Sequence, residues 1–226
     1  MFLEFINQSY FVIFNAIALI ISLSTYSKYF DTVLKYLPIL IAYTLINELL
    51  GYFLLYYPSF RVFLDFEDSQ TNHIIYNIYD LIYFPFFYYV YWGLVSNSRD
   101  KKLITFGAVL VVLCYILNSY FQNPMYYGLY YAYAVASAVT IFCVVLYFID
   151  QHNQNKPILQ PYNLVFWVSL GLLILHTFSP TLLIIGYYDP DNWHNLNLQT
   201  FHHLVIILMN LLFIIGFIKA RKRSFG

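Results

Sequence analysis

The sequence predicts an all-α membrane bundle of seven transmembrane helices, with the N-terminus outside and the C-terminus in the cytoplasm. Three observations carry this. The chain is 61% hydrophobic and only 10% charged, whereas an average soluble domain is roughly 25% charged. Its apolar residues gather into seven stretches, each near the ~20 residues that cross a bilayer core. Ten of its eleven Lys and Arg residues fall on one side of the resulting connections.

The spans are expected at about 5–26, 32–57, 73–95, 103–120, 125–149, 163–188 and 198–220, forming one domain over 1–226. Pro38 opens the second, and Pro85 and Pro180 lie inside the third and sixth. Neighbouring helices can satisfy the backbone groups that such prolines free. Lys28, Lys35, Arg99, Lys101, Lys102 and Lys156 occupy the odd-numbered connections, and Lys219, Arg221, Lys222 and Arg223 form the tail. Only Arg61 lies in an even-numbered one. Basic residues mark the cytoplasmic side. Glu4, Asp65, Glu67, Asp68, Asp189 and Asp191 collect on the other. Trp92 and Trp167 fall near the inner interface and Trp193 near the outer one, as in an aromatic belt.

The spans differ in kind. The fourth is apolar all round, which predicts a lipid-facing helix on which Ala108, Val112 and Tyr115 tolerate change. The fifth carries Gly128, Ala132, Ala136 and Thr140 at four-residue spacing, a stripe that lets another helix approach closely. Cys114 and Cys143 sit in apolar runs and read as small hydrophobes. The N-terminal run lacks the basic residues that precede a cleaved signal peptide. Net charge is zero, so nothing points to nucleic acid. Soluble-enzyme templates are missing: there is no HExxH, GxSxG, paired CxxC or phosphate-binding glycine loop.

The polar residues within spans are few. In NHIIYNIYDLIYF (residues 72–84), His73, Tyr76, Asn77 and Asp80 share one helical face, opposite Ile74, Ile75, Ile78, Leu81 and Ile82. Glu48, Asp80, His176, His202 and His203 are the ionisable groups at depth. At ~1.5 Å of rise per residue, Glu48 and His176 come within roughly 2–5 Å of the midplane, Asp80 about 5 Å out, and His202 and His203 about 8–10 Å out. All five fall in the outer half although they come from four helices. An intramembrane ionisable residue is by default a site hypothesis, so the expectation is one outer-half pocket built by Glu48, Asp80, His176 and His203, with His202, Asn77 and Tyr76 beside it. That expectation makes the second, third and sixth spans mutual neighbours. Each residue also has a purely structural reading: Glu48 as a neutral acid bonded to the next helix, Asp80 held by Tyr or Asn, His176 as a satisfied core residue. His202 and His203 diverge by about 100° and cannot face one point.

Carboxylate and imidazole are ligands for a borderline divalent metal such as zinc, and His176, His203 and Asp80 are the candidate set. Seven spans with such an outer-half group resemble the seven-helix metal-dependent amide hydrolases, which include alkaline ceramidases, adiponectin receptors and haemolysin-III-like proteins. In that family a last-span HxxxH and a third-span histidine complete a zinc site. Here His202 and His203 are followed four residues on by Ile206 and Ile207, and His73 is about a turn too shallow, so the motif is incomplete. The plan also resembles small bacterial integral membrane proteins, which implies the inner membrane. Three functions follow: binding or sensing an ion or small amphiphile in the outer pocket, with a membrane-protein partner to receive the signal; metal-dependent hydrolysis of a lipid; and ion-coupled transport. The absence of a polar path to the cytoplasmic side weighs against the last.

Overall fold

The computed structural model describes residues 10–56, 73–157 and 160–221. Glu4, Asp65, Glu67, Asp68, Arg61, Lys222 and Arg223 lie outside them, as do the first residues expected in span one.

Seven long helices appear among the described residues: α1 (Phe11–Ser24), α2 (Leu37–Tyr56), α3 (His73–Leu94), α4 (Ser98–Phe121), α5 (Tyr130–Asn153), α6 (Leu164–Tyr188) and α7 (Leu198–Lys219). A short helix, Pro190–Asn195, links the last two. The starts have local causes. Asn97 and Asn163 accept from Arg99 and Val165 N–H at 2.9 Å, supplying partners for exposed first-turn donors. Pro38 sits in the first turn of α2, where a missing N–H costs no bond. Asn197 adopts the left-handed conformation (φ 51°) just before α7, a region Asn tolerates better than most residues.

The helices form a closed ring in the order α1, α2, α3, α5, α6, α7, with α4 outside it against α3 and α5. The second and sixth spans are therefore not the mutual neighbours expected: α2 packs mainly on α1 and α3, and α6 on α5 and α7. The α6–α7 crossing is close on both sides. A Cβ on Gly171 would meet Phe213 at 2.8 Å, and one on Gly216 would meet Trp167 at 2.8 Å. Along α5, Ala132, Ala136 and Thr140 are fully buried, and the Tyr88 hydroxyl donates to the Ala136 carbonyl at 2.8 Å. The small-residue stripe is thus a packing surface, as its spacing predicts.

Five helical stretches are long and apolar enough to cross a membrane: Leu37–Leu54, Ser98–Phe121, Tyr130–Asn153, Leu164–Tyr188 and Leu198–Lys219. α1 is apolar but 14 residues long as described. In α3, Tyr, Asn and Asp lower the mean hydropathy. The outward faces are apolar throughout, with Ile20, Ile39, Phe106, Ile116 and Leu117 all more than half exposed. So extensive an apolar surface suits hydrocarbon rather than water. The chain is a helical, multi-pass membrane protein.

α4 bears out the lipid-facing expectation on one side only. Val112 and Leu113 are exposed, but Tyr115 is buried and its hydroxyl donates to Asp80 Oδ2 at 3.1 Å. Tyr115 was expected to tolerate change. Its helix looks uniformly apolar because a tyrosine ring hides the polar group at its tip.

The end carrying the helix 3–4 connection is closed tightly. Tyr29, Leu34 and Leu37 from the α1–α2 connection are fully buried there. The Tyr29 hydroxyl donates to the Ser22 carbonyl at 2.6 Å, and burial holds this phenol well above its usual pKa, so it remains a neutral donor. Lys28 Nζ donates to the carbonyls of Phe217 and Ile218, oxygens that the end of α7 leaves without helical partners. Asp150 accepts from Ser96 N–H and Oγ, tying α5 to the end of α3. Lys101 lies over Trp92, Lys219 over Trp167 and Arg221 over Tyr162. Trp193 packs on Gly186 at the opposite end.

Candidate functional site

The ring encloses a cavity of about 370 Å³. Glu48 and Thr44 of α2 reach it, with Tyr76, Asn77, Tyr79 and Asp80 of α3, and His202, His203 and Asn210 of α7. Leu37, Leu40, Ile41, Phe87 and Phe213 line its apolar part. Counting along α2 from Leu37 to Glu48, the cavity is roughly 16 Å long at ~1.5 Å per residue. Glu48 of α2 and Asp80 of α3 lie on the side of the cavity away from Leu37, and the closed end is hydrocarbon.

Local bonds explain how each polar group is held. Residues 44 and 48 are four apart on α2, and 76 and 79 three apart on α3, so the two helices meet through matched pairs. The Tyr76 hydroxyl donates to Glu48 Oε2 at 3.1 Å, and Thr44 Oγ1 and Tyr79 Oη share a bond at 2.8 Å. Tyr76 comes this close because the residue facing it is Gly51, whose hypothetical Cβ would lie 2.7 Å from its hydroxyl. Asn77 is structural as well as cavity-lining. Its Nδ2 donates to the Pro124 and Tyr127 carbonyls and its Oδ1 accepts from Leu129 N–H, fixing the α4–α5 connection against α3. Asp80 turns the other flank of α3 toward α4 and Tyr115.

The two histidines of α7 diverge as their adjacency requires. His202 Nε2 bonds Ser179 Oγ of α6 at 3.1 Å. His203 packs against the rings of Tyr10 and Phe11 on the other side. His73 meets Tyr130 edge-on.

His176 is not part of the cavity lining. It is fully buried one layer behind, its Nδ1 bonded to Ser137 Oγ at 3.0 Å and its Nε2 to Tyr83 Oη at 3.3 Å. Tyr83, Phe84 and Tyr133 surround its ring. Both nitrogens therefore have protein partners, and the structural reading of His176 describes its surroundings. Among the described residues, no three His, Cys, Asp or Glu side chains come together to hold a metal ion. The set His176, His203 and Asp80 does not assemble, because three helices that share a level in the bilayer need not share a face. Cys114 and Cys143 are free.

Two contributors were not singled out from sequence. Tyrosines 79, 83, 130 and 133 wall the cavity. They are hard to choose among 25 in the chain. Asn15, a lone amide in the apolar run FVIFNAIALIIS, was legible in principle. It lines the cavity, is 5% exposed, and its side chain has no hydrogen-bond partner among the described residues. Asn210 is 2% exposed, lines the cavity and donates one Nδ2 hydrogen to the Ile206 carbonyl.

These features define a multi-pass helical membrane protein with an internal cavity that is polar at one end. No protein-family model, curated protein or solved structure matches the chain.

Proposed function

We propose that this chain is a seven-pass protein of the cell membrane that binds a small amphiphilic molecule in its central cavity, with the cavity's polar end toward the outer face. The orientation rests on the ten-to-one division of Lys and Arg and on the segregation of acids to the opposite connections. α1 and α3 then cross the bilayer with the five more apolar helices, shielded by the ring they complete.

The observation that carries the binding reading is the cavity's one-ended polarity. Carboxyl, imidazole and amide groups lie at and below one end, and Leu37, Phe87 and Phe213 close the other. A mostly apolar cavity with a few convergent polar groups is the usual form of a small-molecule site. Asn15 supports it further. A buried amide without a partner is costly, and a ligand or ordered water within the cavity removes that cost. The tightly packed cytoplasmic end favours retention over passage.

The test is thermal unfolding in nanodiscs with single-chain amphiphiles added. A ligand that binds only the folded protein raises its apparent stability by RT ln(1 + [L]/Kd). At least one amphiphile is expected to raise the midpoint in the native chain and to lose its effect in Ile206→Trp or Leu183→Trp, which fill the cavity. Midpoints that respond equally in all three proteins overturn the reading.

A further inference from the structure

We propose that the cavity selects an amine: its occupant is an amphiphile whose ammonium head sits against Glu48 and Asp80 and whose chain runs toward Leu37 and Phe87. This rests on the binding reading above and names the chemical class that the same cavity takes.

Among the described residues, the cavity lining has two carboxyl groups, Glu48 and Asp80, and no Lys or Arg. Among the described residues each carboxyl has one hydrogen bond, from a neutral phenol: Tyr76 to Glu48 Oε2 and Tyr115 to Asp80 Oδ2, both at 3.1 Å. The other oxygen of each has no donor among those residues. A carboxylate away from water needs a counter-charge and several donors, and an ammonium group supplies both. A phosphate or carboxylate head would face these two acids with no described Lys or Arg to offset them. The histidines do not change this balance, since His202 is bonded to Ser179, His203 is packed on Tyr10 and Phe11, and His73 meets Tyr130.

The second line of evidence comes from different residues. Asn210 donates one Nδ2 hydrogen to the Ile206 carbonyl, and its Oδ1 has no donor among the described residues. The side chain of Asn15, 5% exposed and without a hydrogen-bond partner among the described residues, brings a further amide oxygen together with two N–H groups. Side chains from α1, α2, α3 and α7 thus bring incompletely bonded oxygens to the lining of one cavity, and an ammonium group, with three donors, can satisfy more of them than a hydroxyl or a carboxylate can. The walls agree. Tyr79 and Tyr83 pack with ring centroids 5.3 Å apart, and Tyr76, Tyr130 and Tyr133 line the same cavity. Aromatic faces attract organic cations, most strongly where water is excluded.

The experiment compares dodecylamine, dodecanol and dodecanoate for binding to the full chain in zwitterionic nanodiscs, with empty nanodiscs subtracted. The native protein is expected to bind the amine at least about tenfold more tightly than the alcohol, with the carboxylate weakest. Glu48→Gln is expected to reduce the amine-over-alcohol preference about tenfold, and dodecanol binding by the variant, at whatever affinity, shows that its cavity is formed. Asp80→Asn provides the same comparison from the other acid. Equal or weaker binding of the amine in the native protein overturns the proposal, as does an amine preference that survives both substitutions. Binding of the alcohol without amine preference overturns the amine assignment alone. Binding of none of the three overturns the cavity reading beneath it.

Discussion

Tyr115→Phe removes one oxygen from a helix whose sequence reads as a lipid-facing surface, and the structure gives that oxygen a consequence. The hydroxyl is buried and donates to Asp80 across the α3–α4 contact at 3.1 Å. A hydrogen bond contributes about 0.5–1.5 kcal/mol net between neutral groups and about 1.5–3 kcal/mol to a charged one. Strong charge-assisted bonds are shorter, about 2.5–2.7 Å, so a value where the two ranges meet applies. Tyr115→Phe is therefore expected to destabilise the fold by about 1.5 kcal/mol, roughly a tenfold change in the folded-to-unfolded ratio. Asp80→Leu removes the acceptor with little change in side-chain size. In that background Tyr115→Phe loses its cost, so a double-mutant cycle gives a coupling of about 1 kcal/mol or more. The assay is reversible denaturation in mixed micelles, followed by tryptophan fluorescence. Val112→Leu, on the exposed flank of the same helix, serves as a control with no expected change. A coupling within about 0.5 kcal/mol of zero refutes the reasoning, since the two residues then act independently.

Three further outcomes follow from the packing. Gly216→Ala is expected to destabilise by about 1–3 kcal/mol, because its new Cβ would meet Trp167 Cβ at 2.8 Å and Leu164 at 2.9 Å, and overpacking outweighs the helix-propensity gain of about 1 kcal/mol; a higher unfolding midpoint contradicts it. Asp150→Asn is expected to loosen the Ser96 region, read as faster amide exchange at Ser96, whose N–H and Oγ both bond this carboxylate; unchanged exchange contradicts it. A reporter fused after Gly226 is expected to be active in the cytoplasm and one inserted at 65–71 outside, with both on one side refuting the seven-pass topology.

The helices were legible because apolar runs of this length leave the chain few alternatives, and the observed helices fall within a few residues of the expected spans. α5's role as a close-packing surface was legible for a similar reason, since Ala132 and Ala136 have no other use at that spacing. Relative placement was not. Level in the membrane can be counted along each helix, but the angle around the bundle depends on which neighbours each helix meets. Glu48 and Asp80 reached one cavity, whereas His176, at a similar depth, turned toward Ser137 and Tyr83. Tyr115 shows the same limit from the other side: a residue amphipathic within its own side chain does not disclose whether its hydroxyl meets lipid or a carboxylate. Asn15 was visible as a lone amide and gains meaning only from the cavity around it.

The most direct measurement is photo-crosslinking with a diazirine-bearing dodecylamine in nanodiscs, with the labelled residues mapped by mass spectrometry. The account predicts saturable labels on cavity residues such as Leu40, Ile41, Met209 and Phe213, competed by unlabelled dodecylamine and lost in Ile206→Trp. Labels confined to outward-facing side chains such as Phe106, Leu113 and Leu117, growing in proportion to probe concentration, contradict it.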